Sequence, residues 1–164
     1  MRATINTYLG KHAEALKEFN YLISIHPRRV TLGRALKQRA WFQATCPDPA
    51  FRNGQQAVKD AKAACSISEW RDEDTLDTLA AAYAETGDFA SATRYAAQAL
   101  TIKDIPPLDA KRIQHHLTLF SRIDRFDYNA TTAFGAGLLT LQRYTIVKSS
   151  SFLELDRKRK PEVL

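Results

Sequence analysis

Gly87-Asp88-Phe89-Ala90-Ser91-Ala92-Thr93-Arg94-Tyr95-Ala96-Ala97-Gln98-Ala99 is the stretch on which the fold turns. Its glycine leads into a helix in which Ala92, Ala96 and Ala99 fall four and then three residues apart, on one face. Small side chains there let a neighbouring helix come close, and the glycine permits a tight turn out of the preceding helix. The pattern recurs at Gly10-Lys11-His12 with Ala15, Phe19 and Leu22, and at Asn53-Gly54 with Ala57, Ala61 and Ala64. Ala57 to Ala92 spans 35 residues; Ala15 to Ala57 spans 42, and most of the excess lies between Cys46 and Asn53. A helix-turn-helix unit with a period of about 34 residues cannot bury its apolar face alone and must stack on copies of itself.

Working outward, Met1 to Leu9 reads as the last part of a helix and Gly10 to Ile25 as its antiparallel mate, ended by His26-Pro27. The stripe of Leu36, Ala40 and Ala44 predicts a helix over Leu32 to Thr45, broken by Cys46-Pro47-Asp48-Pro49. Helices are expected over Gly54 to Ser66, Asp72 to Thr86, Asp88 to Ile102 and, after Pro106-Pro107, Leu108 to Arg122. The acidic start at Asp72 suits the positive end of a helix dipole. Domain organisation follows: a helical repeat unit over 1–122 and a C-terminal extension over 123–164. In that extension Leu138 to Val147 can pair as a strand or continue as helix, Ser149-Ser150-Ser151 reads as a break, and Arg157 to Pro161 is a basic, solvated run.

Composition narrows the class. The chain has 164 residues and a formal charge of +6. No apolar run approaches the roughly 20 residues of a membrane span, so no membrane partner is expected. The first residues lack the apolar core of a signal peptide, which makes a cytoplasmic location the expectation. Cys46 and Cys65 are too few for a disulfide framework and lack zinc spacing, so free thiols are expected. Charge is polarised: residues 1–53 hold nine Lys/Arg against three Asp/Glu, and residues 54–104 hold five against nine. Such a field can steer an oppositely patterned partner.

Leu76, Leu79, Ala80, Tyr83, Gly87, Ala92 and Ala99 together resemble one full unit of the tetratricopeptide repeat, with Ala96 where that family usually has an aromatic residue. Gly10, Ala15, Phe19, Leu22 and Pro27 match the second half of another unit. The segment Ala40 to Pro49 is similar to a variant with a longer inter-helix loop, which we associate with bacterial multi-repeat proteins. The resemblance implies an all-α fold, a right-handed superhelix of stacked antiparallel pairs, followed by an irregular tail. It further implies a non-enzymatic scaffold that binds a peptide or helix of another protein along the concave face, lined by the first helix of each pair.

Projected onto this chain, that face presents Arg34, Lys37, Trp41 and Thr45, then Asp74, Asp77, Ala81 and Glu85, with Thr4, Thr7 and Tyr8 from the first unit. Trp41 is either a contact residue of the kind found at binding hot spots or packing for the neighbouring repeat. Arg34 and Lys37, one turn apart, can meet carboxylates of a ligand. Family members that clamp a terminal carboxylate use Lys, Asn and Arg; here Trp41 fills the Asn slot and acidic side chains line the next helix, which argues against that ligand.

Other chemistries find little support. The basic first half would suit nucleic acid, but the acidic helix from Asp72 shares its groove, and this alternative is the weaker one. His115 and His116 point about 100 degrees apart on a helix and do not converge on one metal. Asp74 and Asp77 are placed to stabilise a helix start. Gly135-Ala136-Gly137 lacks the setting of a dinucleotide site, and no nucleophile has a base at motif spacing, so neither cofactor nor catalysis is expected. Two further readings stay open: a regulatory or targeting segment of a larger enzyme, and self-association through an N-terminal edge where Ile5, Tyr8, Leu16 and Phe19 lack full cover.

Overall fold

A computed structural model of the chain describes residues 2–25 and 28–133, and side-chain surroundings as far as Asp124. The described residues are helical and contain no strand. The order is α1 (Arg2–Tyr8), α2 (His12–Ser24), α3 (Arg29–Thr45), a short 3-10 turn (Pro49–Phe51), α4 (Gly54–Ile67), α5 (Glu73–Glu85), α6 (Phe89–Ala99) and α7 (Pro107–Ala133). Each helix packs on the next, and α5 also packs on α3 and α7. The odd-numbered helices α3, α5 and α7 therefore form one layer, with the even-numbered mates α4 and α6 packed against it.

Local chemistry sets the helix starts. Asn53, Asp72 and Asp88 accept hydrogen bonds through their side chains from the N–H groups of Gln56 (3.0 Å), Thr75 (2.6 Å) and Ser91 (3.0 Å). Each satisfies a donor that the first helical turn cannot satisfy itself. Gly87 sits at φ 83°, a left-handed conformation that side-chain-bearing residues resist, and its N–H donates to Ala84 O at 3.0 Å. Two close approaches depend on the missing Cβ. One added to Gly33 would stand 2.8 Å from Ile67 Cγ2, and one added to Gly54 would stand 2.9 Å from Thr86 Cγ2.

The core follows the small-residue faces. Ala57, Ala61, Ala92, Ala96 and Ala99 are wholly buried, with Leu76, Leu79 and Ile113 filling the space between helices. Ala15 and Phe19 of α2 are buried with Phe42 and Cys46, at the other end of the stack. A polar tie crosses the same region. Arg39 of α3 grips both carboxylate oxygens of Asp60 on α4 (2.6 and 2.8 Å) and reaches Asn20 of α2 at 2.7 Å.

Several bounds differ from those read in the sequence. The apolar stripe predicts a start at Leu32, but α3 begins at Arg29; Arg29, Val30 and Thr31 are exposed and so add nothing to the buried stripe. α6 ends at Ala99 rather than Ile102, the next residues closing into turns. α7 runs past Arg122 to Ala133, since no glycine or proline interrupts residues 108–133. Phe19, expected to lack cover, is buried against Phe42 at a ring distance of 6.0 Å. The alternatives for Leu138 to Val147 and the basic run lie outside the described residues. Both cysteines are unpaired and buried. Among the described residues no helix is long and apolar enough to cross a membrane.

Candidate functional site

Side chains 35 to 38 residues apart stand face to face across adjacent odd-numbered helices. Lys37 Nζ on α3 donates to Asp74 Oδ2 on α5 at 2.6 Å and lies 4.0 Å from Asp72 Oδ1. Arg112 on α7 donates to the other Asp74 oxygen at 2.9 Å, to Asp77 Oδ2 at 2.8 Å and to Asp109 Oδ1 at 3.2 Å. His116, one turn further along α7, places Nδ1 at 2.8 Å from Asp77 Oδ1. An ionised carboxylate only accepts, so Nδ1 carries the proton. The Asp74 carboxylate thus joins three helices, and the Asp77 carboxylate holds two side chains of α7.

Burial strengthens these contacts, because charges in a low-dielectric setting are poorly screened. Asp77 is 0 % exposed and His116 is 2 % exposed. Burial works to lower the pKa of Arg112, but the carboxylates of Asp77, Asp74 and Asp109 outweigh it and hold the guanidinium above its ordinary value. The Trp41 ring stands 6.1 Å from that of His116, which continues to Phe120 at 6.0 Å. Trp41 is itself partly exposed, so one aromatic surface borders the ion-pair layer and solvent.

Four of the projected groove residues, Lys37, Trp41, Asp74 and Asp77, are gathered in this layer. The others lie elsewhere. Arg34 is exposed one turn nearer the start of α3. The Thr45 hydroxyl donates to Trp41 O in its own helix at 2.8 Å. Glu85 sits at the far end of α5, 3.5 Å from Arg52. Burial raises its pKa more than Arg52 lowers it. Ala81 is buried in the core. On α1, Thr7 donates its hydroxyl to Ala3 O at 3.0 Å and Tyr8 is exposed.

Arg112 has no role in the sequence reading and His116 enters it only as a rejected metal ligand, although a spacing signal is present. Arg112 follows Asp77 by 35 residues and Asp74 by 38, about one repeat. Chemically, the layer sets four carboxylates, those of Asp72, Asp74, Asp77 and Asp109, around two cations, Lys37 and Arg112, with His116 bonded to Asp77. The Asp77–His116 pair is closed to any dissolved substrate and acts as a strut between α5 and α7. Among the described residues no group of three His, Cys, Asp or Glu side chains is arranged to hold a metal ion. Comparison with family models, curated proteins and solved structures finds no match for this chain.

Proposed function

We propose that the chain is a non-enzymatic interaction scaffold that binds a peptide or helix of a partner protein on the layer formed by α3, α5 and α7. We also propose that its pairs wind as a right-handed superhelix of tetratricopeptide type. The spacing from Glu73 to Pro107, 34 residues, supports that winding. The binding reading rests above all on the partly exposed Trp41 beside a polar layer that spans three successive odd-numbered helices. Tryptophan is among the residue types enriched at binding hot spots. Because Lys37 is engaged by Asp74, Arg34 is the cation of that face better placed to meet a ligand carboxylate.

Peptides selected from a displayed library against the intact protein test the reading. Amide shifts on binding should concentrate in α3, α5 and α7, and Trp41→Ala should weaken binding by about tenfold or more while leaving helicity intact. Shifts confined to other surfaces, or affinity indifferent to Trp41, would refute it.

A further inference from the structure

Residues 19–47 hold five Lys/Arg and no Asp/Glu, so each cation there must find its acid elsewhere in the fold or go without. Arg39 takes Asp60 and Lys37 takes Asp74. Arg28 and Arg34 are exposed and pair with no carboxylate among the described residues, while Arg29 reaches only Ser66 O, at 3.4 Å. Thr31 stands between them. Arg28 precedes it by three residues and Arg34 follows it by three, so the two arginines flank it on the helix surface. Its hydroxyl is uncommitted. Thr86, Thr101 and Thr118 are exposed too, but they turn their hydroxyls back to the carbonyls of Tyr83, Gln98 and Gln114 (2.7, 2.7 and 2.8 Å). Thr31, in the first turn of α3, is exposed and makes no such bond among the described residues.

Arg28 and Arg29 are the third and second residues before Thr31, and Leu32 follows it. No other serine or threonine of the chain has a basic residue at both of those positions. Kinases with acidic clefts choose their acceptors by charge patterns of this kind, and they take the acceptor on extended backbone. Arg28 already lies outside the helix, at ψ 146°. The first helical bond, from Leu32 N–H to Arg28 O at 2.9 Å, is the one that must open. Little opposes that opening. Arg29, Val30 and Thr31 are exposed, and close packing starts at Gly33, where an added Cβ would stand 2.8 Å from Ile67. A phosphate on this turn would then meet the positive end of the helix dipole and two guanidinium groups able to bind it in bidentate fashion.

We propose that Thr31 is the acceptor of an arginine-directed serine/threonine kinase, and that Arg28 and Arg34 hold the phosphate it receives. ATP supplies the γ-phosphoryl group. A bond forms from Thr31 Oγ1 to the γ-phosphorus, the bond to the β–γ bridging oxygen breaks, ADP leaves, and the hydroxyl proton passes to the base of the kinase. The assignment does not depend on peptide binding at the α3–α5–α7 layer. It is tested by incubating the full chain with magnesium ATP and the catalytic subunit of cyclic-AMP-dependent protein kinase, then mapping the phosphate by mass spectrometry. Thr31 should be modified ahead of any other residue. Arg28→Ala and Arg29→Ala, both at exposed positions, should each lower kcat/KM for the transfer roughly tenfold with helicity unchanged. In phosphorus NMR the attached phosphate should titrate below the value of about 6 usual for its second proton, and Arg34→Ala should bring it back toward that value. The proposal is overturned by an unmodified Thr31, by faster transfer to another residue, or by indifference to both arginine variants. A phosphate that titrates alike with and without Arg34 overturns its capture on α3.

Discussion

Removing the Asp77 carboxylate takes a bond from two side chains at once, because Arg112 and His116 both lean on it where it is wholly buried. Asp77→Ala should therefore cost about 3–5 kcal/mol in urea unfolding, and Asp77→Asn less, since the amide oxygen still accepts from His116. Glu85 bears on pH. Its carboxyl is raised above 4.5 by burial, so between 4.5 and the raised value the folded chain holds more protons than the unfolded one. Stability from this group is complete below that window and falls as pH rises through it. Glu85→Gln should flatten the fall in a series of unfolding curves from pH 4 to 7. Cys65 offers a third check: burial first, and Asp72 second, push its thiol up to about 12. A thiol reagent at pH 8 should label it only as fast as the protein opens. Sequence alone picked out Lys37, Trp41, Asp74 and Asp77 through their slots in the repeat. It passed over Arg112, and weighed His116 only as a metal ligand and rejected it, because the reach of an ion pair depends on helix register, which composition does not carry.

At the level of the helix, the alanine faces were the most legible feature, since a stripe of small residues has meaning only where another helix crosses it. Ala92 is wholly buried at such a crossing, between α6 and its neighbours. Ala92→Leu should overpack it and cost about 1–3 kcal/mol, measured as a lowered unfolding midpoint. Caps were legible in part: the acidic start at Asp72 was read as dipole chemistry, and the structure adds its hydrogen bond to Thr75. Ends were less so. The first turn of α3 exposes Arg29, Val30 and Thr31, and hydrophobic periodicity is silent where nothing is buried. Gly33 escaped notice for a similar reason, because its use lies in Ile67, 34 positions away.

For the whole molecule, apolar exposure is uneven. Ile5 and Tyr8 of α1, and Leu9 just after it, are all exposed. We propose that this end meets a second copy of the chain. Sedimentation velocity at micromolar concentration should then find a species heavier than one chain, and Tyr8→Glu should return it to a monomer; a monomeric wild type would count against self-association.

The shared Asp74 carboxylate has a consequence for how such a chain can be rearranged by recombination. Lys37, Asp74 and Arg112 alternate in sign along the stack. Transposing the α3–α4 hairpin with the α5–α6 hairpin would bring Lys37 against Arg112 and leave the aspartates facing the wrong neighbour. A permuted gene should accordingly yield a chain less stable than the original despite identical composition. The modules look alike in outline, yet each is addressed to its place by the charge it presents to the next.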